Sequence, residues 1–167
     1  MKKIALAFLF LLVSFSAHSE SGGVKDEVAR AVADASSVTI FSLEPAARET
    51  GKDCTGLCYF GWPVLGQTSV TRATAKTIRN DLSVWVAAPE PKAIQLCFNP
   101  RHGVRLIANG HTYDFVVCFE CAQAEVFKDS AAEPLAHFYY NANQKGWDVV
   151  LSAAHVPLAA PAEADGT

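Results

Sequence analysis

Two short segments carry most of the reactive side chains of this 167-residue chain. The first is Cys97-Phe98-Asn99-Pro100-Arg101-His102-Gly103, and the second is Cys118-Phe119-Glu120-Cys121. Three sulfurs, one imidazole, one guanidinium and one carboxylate therefore lie within 25 residues. If the fold brings the two segments together, these groups could form disulfides, a metal site, a thiol-exchange site or a binding surface.

A tetrahedral zinc site is one chemistry open to this set. The candidate ligands are Cys97, His102, Cys118 and Cys121. Three thiolates and an imidazole suit zinc, but the spacing is looser than in zinc fingers, and an oxidising compartment favours disulfides. Thiol–disulfide exchange is a further alternative, although Glu120 inside the Cys-x-x-Cys motif and a strand end in place of a helix N-terminus do not favour a reactive thiolate. We expect no cofactor, with zinc as the alternative.

The charged residues of the two segments are the candidates for binding. Arg101 and His102 could hold an anion, or act as acid and base with Glu120 or Asp114. The structural alternative is that Arg101 pairs with one of those carboxylates and His102 bonds a turn carbonyl. We take Asn99, Arg101, His102 and Glu120 as binding candidates. Because no catalytic set is recognisable, we name no catalytic residue and favour a protein without enzymatic activity.

A hairpin must position these segments. Asn109-Gly110 joins two β-rich runs, 104–108 and 111–119, and this dipeptide favours a type I′ turn between antiparallel strands. If Ala108 lies opposite His111, facing residue numbers add up to 219 along the ladder. The ladder, extended backwards, then brings the first segment beside the second.

This register favours one disulfide. Cys97 would lie next to Cys121, which makes Cys97–Cys121 the favoured bond and Cys97–Cys118 the second choice. Cys54 and Cys58 lie four residues apart in a glycine-containing loop and could close on each other or reach the later cysteines. An odd number of cysteines leaves one thiol unpaired.

Periodicity outlines the rest of the fold. Helical spacing of apolar residues predicts helices over 24–37, 71–88 and 131–145, and Trp85 on the second helix is expected in the core. Alternating or β-branched runs predict strands over 38–43, 62–70 and 93–98, with 124–128 prolonging the strand that ends at 119. Residues 147–151 could form an edge strand or coil. We predict an α+β domain: an antiparallel sheet of about five strands including a meander, with about three helices mainly on one face.

The N-terminus predicts export. Met1-Lys2-Lys3 precedes ten apolar residues and then small ones, which is typical of a signal peptide over residues 1–19. Without Lys2 and Lys3 the 14 basic residues become 12 against 17 acidic ones, a net charge of −5, so nucleic acid is an unsuitable partner. We predict a single domain over 20–151, a disordered Ala/Pro-rich tail over 152–167, no membrane span in the mature chain, and a periplasmic or secreted location.

The motifs also resemble a group of small exported bacterial proteins, often lipoproteins, that have no assigned activity. The shared pattern is Ser42-Leu43-Glu44-Pro45, Gly61-Trp62-Pro63-Val64-Leu65-Gly66, and the two cysteine-containing segments. The resemblance implies no reaction and no cofactor. This chain differs in lacking an acylated cysteine, and Cys54 and Cys58 are additions to the pattern. Because no catalytic set is recognisable and a long cysteine-containing loop and an irregular Pro-Arg-His-Gly turn are available, we predict a disulfide-bonded domain that binds another protein or a cell-envelope component.

Overall fold

The computed structural model of this protein describes residues 20–45, 54, 56–93, 95–140 and 144–160. The predicted signal peptide, residues 1–19, lies outside these ranges. Within them the chain forms three α-helices and seven β-strands, which confirms the α+β class but exceeds the five strands predicted. In chain order the elements are α1 (Glu20–Asp34), β1 (Ser37–Leu43), β2 (Cys58–Tyr59), β3 (Trp62–Ser69), α2 (Arg72–Ala87), β4 (His102–Ala108), β5 (His111–Cys118), β6 (Gln123–Lys128), β7 (Ala136–Tyr139) and α3 (Lys145–Ala153).

The strands form one antiparallel sheet in the order β2-β3-β1-β4-β5-β6-β7. Its centre is the predicted hairpin in the predicted register. Ala108 lies opposite His111, and the pairing continues without a shift to His102 opposite Val117. The Asn109-Gly110 tip has φ angles of 52° and 81°, the left-handed conformation that a type I′ turn requires. The hairpin therefore brings the start of β4 beside the end of β5.

The two faces of the sheet bury different cores, because side chains alternate along a strand. Phe115 packs with the three helices on one face, and Val116 packs on the other. The helix-covered core includes Val28 and Val32 of α1, Ile78, Leu82, Trp85 and Val86 of α2, and Trp147 and Leu151 of α3. The smaller core on the opposite face contains Phe41, Leu43, Tyr59, Trp62, Val116 and Phe127.

Helix α2 matches its prediction closely. Thr71 caps its start by accepting a hydrogen bond from the backbone N–H of Thr74 at 3.3 Å, and the helix ends before Pro89. Trp85 lies in the core as expected, with 2% of its surface exposed. The sequence pattern was sufficient here because one apolar stripe faces the sheet over four turns.

In the described residues of the predicted strand over 93–98, which leave out residue 94, no strand forms, and residues 95–100 are coil. The ladder between β4 and β5 ends at His102, because the partner strand ends at Cys118 and the chain then reverses. On its other side β4 still has a neighbour for one more residue, since the Leu43 N–H of β1 donates to the Arg101 carbonyl at 2.9 Å. Leu96, predicted within this strand, is 97% exposed.

Residues 124–128 do not prolong β5. They belong to β6, which runs antiparallel to β5 with Cys118 opposite Gln123. The reversal occupies residues 119–122, where Ala122 has φ of 50° and its N–H bonds the Phe119 carbonyl at 3.2 Å. The sequence contains no glycine, proline or asparagine there, so the usual signs of a turn are missing.

The predicted helix over 131–145 is also wrong. Ala136–Tyr139 forms β7, because the free edge of β6 offers hydrogen bonds to this aromatic stretch. Helix α3 begins at Lys145 instead, and it contains both Gly146, predicted as a terminator, and the ambiguous stretch 147–151. Residues 141–143 lie outside the described ranges.

Of the segment predicted as a disordered tail, residues 152–160 lie within the described ranges, and the first two of them end α3. Residues 156–160 follow α3, and within them Val156 packs against Gly66 of β3 while the Ala160 carbonyl accepts a hydrogen bond from Arg101. Residues 161–167 lie outside the described ranges. Leu158 and Ala159 of this segment lie beside Arg101.

Candidate functional site

The cysteines of the described residues form two disulfides and leave one thiol free. Cys54 bonds Cys58, and Cys118 bonds Cys121, whereas Cys97 is free and exposed. The favoured Cys97–Cys121 bond and the second choice Cys97–Cys118 are therefore wrong, because the later two cysteines are joined to each other. Cys97 Sγ nevertheless lies 3.0 Å from Cys121 Sγ, so the proximity behind the prediction is present.

The structure does not assemble the alternative zinc site. Two of its four predicted ligands, Cys118 and Cys121, are bonded in a disulfide, and the imidazole of His102 bonds Asp148. In the part of the chain that the structure describes, no group of three or more His, Cys, Asp or Glu side chains is arranged to hold a metal ion.

His102 lies at the first position of β4 on the helix-covered face, with 1% of its surface exposed. Its Nε2 lies 2.9 Å from Oδ1 of Asp148 in α3, so its hydrogen-bond partner is neither the turn carbonyl nor one of the two carboxylates predicted. Its ring meets Phe119 and Trp147 edge to face, with ring centroids 5.0 and 6.1 Å apart. Helix α3 and the β5–β6 reversal therefore enclose this histidine.

Burial lowers the pKa of His102 from 6.5 to about 4, against the opposing effect of the Asp148 carboxylate. The ring is therefore neutral at physiological pH. Its hydrogen atom lies on Nε2, where Asp148 accepts it, and Nδ1 is left as an acceptor. Among the described residues, this buried Nδ1 has no hydrogen-bond partner.

Arg101 precedes His102 and makes one of the predicted ion pairs. Its Nε donates to Oε1 of Glu120 at 3.2 Å, and its other end donates to the backbone carbonyl of Ala160. The arginine side chain is 10% exposed and that of the glutamate 44%. Arg101 therefore joins the start of β4 both to the β5–β6 reversal and to the C-terminal segment.

Asp114, predicted as a possible partner of Arg101 or His102, faces the opposite side of the sheet. It is fully buried there, accepts from Arg105 Nε at 2.7 Å, and accepts from the hydroxyl of Tyr59 at 2.9 Å. Burial, together with the neighbouring carboxylate, raises the pKa of Tyr59 well above its ordinary value. Asp114, Arg105 and Tyr59 therefore stabilise the smaller core and do not belong to the site around His102.

Three of the four binding candidates meet in a pocket of about 520 Å³, called the polar pocket because five of its seven lining residues have charged or polar side chains. The pocket is lined by Arg101, His102, Glu120, Gln144, Asp148, Leu158 and Ala159. Its walls come from the start of β4, the β5–β6 reversal, the start of α3 and the C-terminal segment. Asn99, the fourth candidate, is half-buried in the preceding coil and is not among the lining residues.

The charges of the polar pocket favour a particular kind of ligand. Arg101 carries the positive charge, Glu120 and Asp148 carry negative charges, and the ring of His102 is neutral, which leaves one net negative charge. Arg101 already donates to two acceptors. The groups that remain to meet a ligand are mainly hydrogen-bond acceptors.

Sequence reasoning missed Gln144 and Asp148. Gln144 Nε2 lies 3.3 Å from Oδ2 of Asp148 and donates to it. Gln144 therefore helps to position the carboxylate that accepts the hydrogen bond of His102. The available signal was the spacing of Trp147 and Leu151, which are four residues apart, both buried, and therefore consistent with one helical face. A helix predicted from the spacing of Trp147 and Leu151 would have placed Asp148 next to Trp147, at the edge of the core.

Comparison with protein-family models, with curated proteins and with solved structures gives no match for this chain. No helix within the described ranges has the length and apolar character needed to cross a membrane.

Proposed function

We propose that this protein is an exported, disulfide-bonded binding domain that recognises a basic side chain of a partner protein through the polar pocket. The observation that carries the proposal is a pocket of about 520 Å³ whose charged residues come from separate segments and converge on a buried neutral histidine. That volume lies in the range of about 300–1,000 Å³ that is usual for ligand sites.

The unfilled hydrogen-bonding capacity of the pocket suits a lysine or arginine. Glu120 is 44% exposed and can accept a second donor, and Asp148 is 28% exposed. Leu158 and Ala159 supply an apolar wall against which the aliphatic stem of a basic side chain could pack. An acidic ligand would meet a net negative charge and is disfavoured.

Export is supported by the N-terminal pattern and by the two disulfides, because disulfides persist in oxidising compartments. N-terminal sequencing of protein recovered from the periplasm of an expression host should begin at Glu20. An intact Met1 in that fraction would contradict the predicted signal peptide.

Ligand recognition can be tested by NMR titration with capped tripeptides that carry a central lysine, arginine, glutamine or glutamate. We expect saturable shifts at pocket residues with the lysine and arginine peptides only. Glu120→Gln should weaken this binding about fivefold, which corresponds to about 1 kcal/mol for one partly exposed ion pair.

Glu133→Gln is the matched control, since it removes the same charge from an exposed turn that does not line the pocket. Equal weakening by both substitutions would indicate non-specific charge attraction. Equal binding of the glutamine and lysine peptides would likewise contradict the proposal.

A further inference from the structure

We propose that Cys97, Cys118 and Cys121, together called the sulfur cluster, form a thiol–disulfide exchange site that acts on a cysteine thiol of a second polypeptide. Cys97 Sγ lies 3.0 Å from Cys121 Sγ, about 1 Å more than the length of a disulfide bond. Cys97 is an exposed free thiol, whereas Cys118 and Cys121 are 0% and 2% exposed. An exposed thiol therefore touches a buried disulfide.

The coil that carries Cys97 is held over that disulfide. Gln123, the first residue of β6, donates from Nε2 to the backbone carbonyl of Gln95 at 2.5 Å. The side-chain oxygen of Gln95 lies 3.5 Å from Cys97 Sγ and accepts from the thiol. Because β6 begins two residues after Cys121, one short stretch of chain positions both partners of the sulfur contact.

The contact defines which sulfur is attacked. Cys97 loses its proton to solvent, and its thiolate attacks Cys121 Sγ, so that a Cys97–Cys121 bond forms while the Cys118–Cys121 bond breaks. The electron pair leaves on Cys118 Sγ, and the proton that Cys97 gave up ends on this sulfur once the bond has opened, so no net oxidation occurs. The backbone N–H of Cys121 lies 3.2 Å from Cys118 Sγ and donates to it, which stabilises the departing thiolate.

The exchanged form presents its disulfide to a partner. A cysteine thiolate of the second polypeptide attacks Cys97 Sγ, which forms a mixed disulfide and releases Cys121 as a thiolate. Cys121 takes up the proton that the partner's thiol lost, so the sulfur cluster then holds two thiols, on Cys118 and Cys121, and the partner is attached through Cys97. The Cys97–Cys121 disulfide breaks and one disulfide forms between Cys97 and the partner, so no further oxidant is required.

The surroundings indicate a polypeptide as the substrate. Cys121 lines a groove of about 340 Å³ whose other walls include Pro89, Pro91, Tyr139 and Tyr140. Prolines and tyrosines offer a flat, largely apolar surface for an extended chain, and the tyrosine rings combine apolar area with a polar end. Leu96, directly before the reactive thiol, is 97% exposed and extends the apolar surface beside the attacking sulfur.

Mass spectrometry can test the exchange with a capped five-residue peptide that contains one central cysteine. Wild-type protein should capture the peptide on Cys97, as shown by fragment mapping after acid quenching. Cys97→Ser should capture it at least about tenfold more slowly, because attack must then occur on a buried disulfide. The double variant Cys54→Ser/Cys58→Ser is the matched control and should keep the wild-type rate.

A second variant tests the intramolecular step by itself. In Cys118→Ser, Cys97 and Cys121 should form a disulfide in the presence of oxidised glutathione, and alkylation should then find no free thiol on either. If both remain alkylatable, the sulfurs do not approach within bonding distance and the proposal is overturned. Equal capture rates for wild type and Cys97→Ser would overturn it as well.

Discussion

The buried His102 should make the stability of the fold sensitive to mild acid. Its pKa is lowered from 6.5 in the unfolded chain to about 4 in the folded protein by desolvation. As pH falls, the unfolded chain therefore binds a proton first. The stabilisation is complete above about pH 6.5 and is lost progressively between about pH 6.5 and pH 4.

The size of this effect follows from the pKa difference. One proton bound only by the unfolded chain lowers the free energy of unfolding by about 1.4 kcal/mol per pH unit. Over the window between the two pKa values, the total loss is about 3 kcal/mol for a ring that is 1% exposed. That is a substantial part of the 5–15 kcal/mol that roughly spans the stability of native domains.

Urea unfolding followed by tryptophan fluorescence, at pH values of about 7, 6 and 5, measures the dependence directly. His102→Gln retains an amide donor for Asp148 but does not titrate, so its stability should fall less steeply over this range. His137→Gln is the matched control, because His137 is exposed on β7 and its replacement should preserve the wild-type slope. If His102→Gln and wild type show the same slope, burial does not set the protonation of this ring and the reasoning is refuted.

Two further substitutions test packing. Gly103→Ala should lower the free energy of unfolding by about 1–3 kcal/mol in chemical denaturation, because an added Cβ would lie 2.5 Å from a ring carbon of Tyr59 and force that buried ring to move. An unchanged denaturation midpoint would show that the Tyr59 ring can move without lowering the free energy of unfolding, which contradicts this prediction. Val86→Ala should cost about 1–3 kcal/mol, whereas Val84→Ala on the same helix should change the midpoint little, since the two valines are 2% and 67% exposed. Equal effects of the two valine substitutions would mean that α2 does not pack through the face observed.

The sequence was sufficient wherever a local rule and the tertiary structure agree. The Asn109-Gly110 turn selects one conformation, so it determined the hairpin and the register of β4 and β5. The apolar stripe of α2 was equally clear, because proline ends it and threonine begins it. Both elements owe their form mainly to residues within them.

The elements that were predicted wrongly depend on distant neighbours. Residues 136–139 pair with β6 because that edge is free, and nothing in their own spacing excluded a helix. The reversal at 119–122 lacks turn residues and is closed by the Cys118–Cys121 bond. Once the chain turns there, the stretch around Cys97 loses the strand partner that the register extrapolation had assumed.

The candidate site was predicted only in part, because some of its residues come from distant parts of the chain. The motif placed Arg101, His102 and Glu120 together because β4 and the β5–β6 reversal are adjacent. Asp148 comes from a helix 46 residues after His102 in the chain, and no spacing rule links the two. A partner supplied by tertiary packing of this kind is visible only in three dimensions.

The course of residues 156–160 has a practical consequence for work on this protein. Leu158 and Ala159 form one wall of the polar pocket, and the Ala160 carbonyl receives the hydrogen bond of Arg101. A chain shortened to end with α3 at Ala153 would still contain all the strands and helices of the described ranges, but the polar pocket would lose one wall and Arg101 would lose one of its two acceptors. Affinities measured on such a fragment, or on a fusion whose C-terminal tag crowds this wall, would describe a different recognition surface.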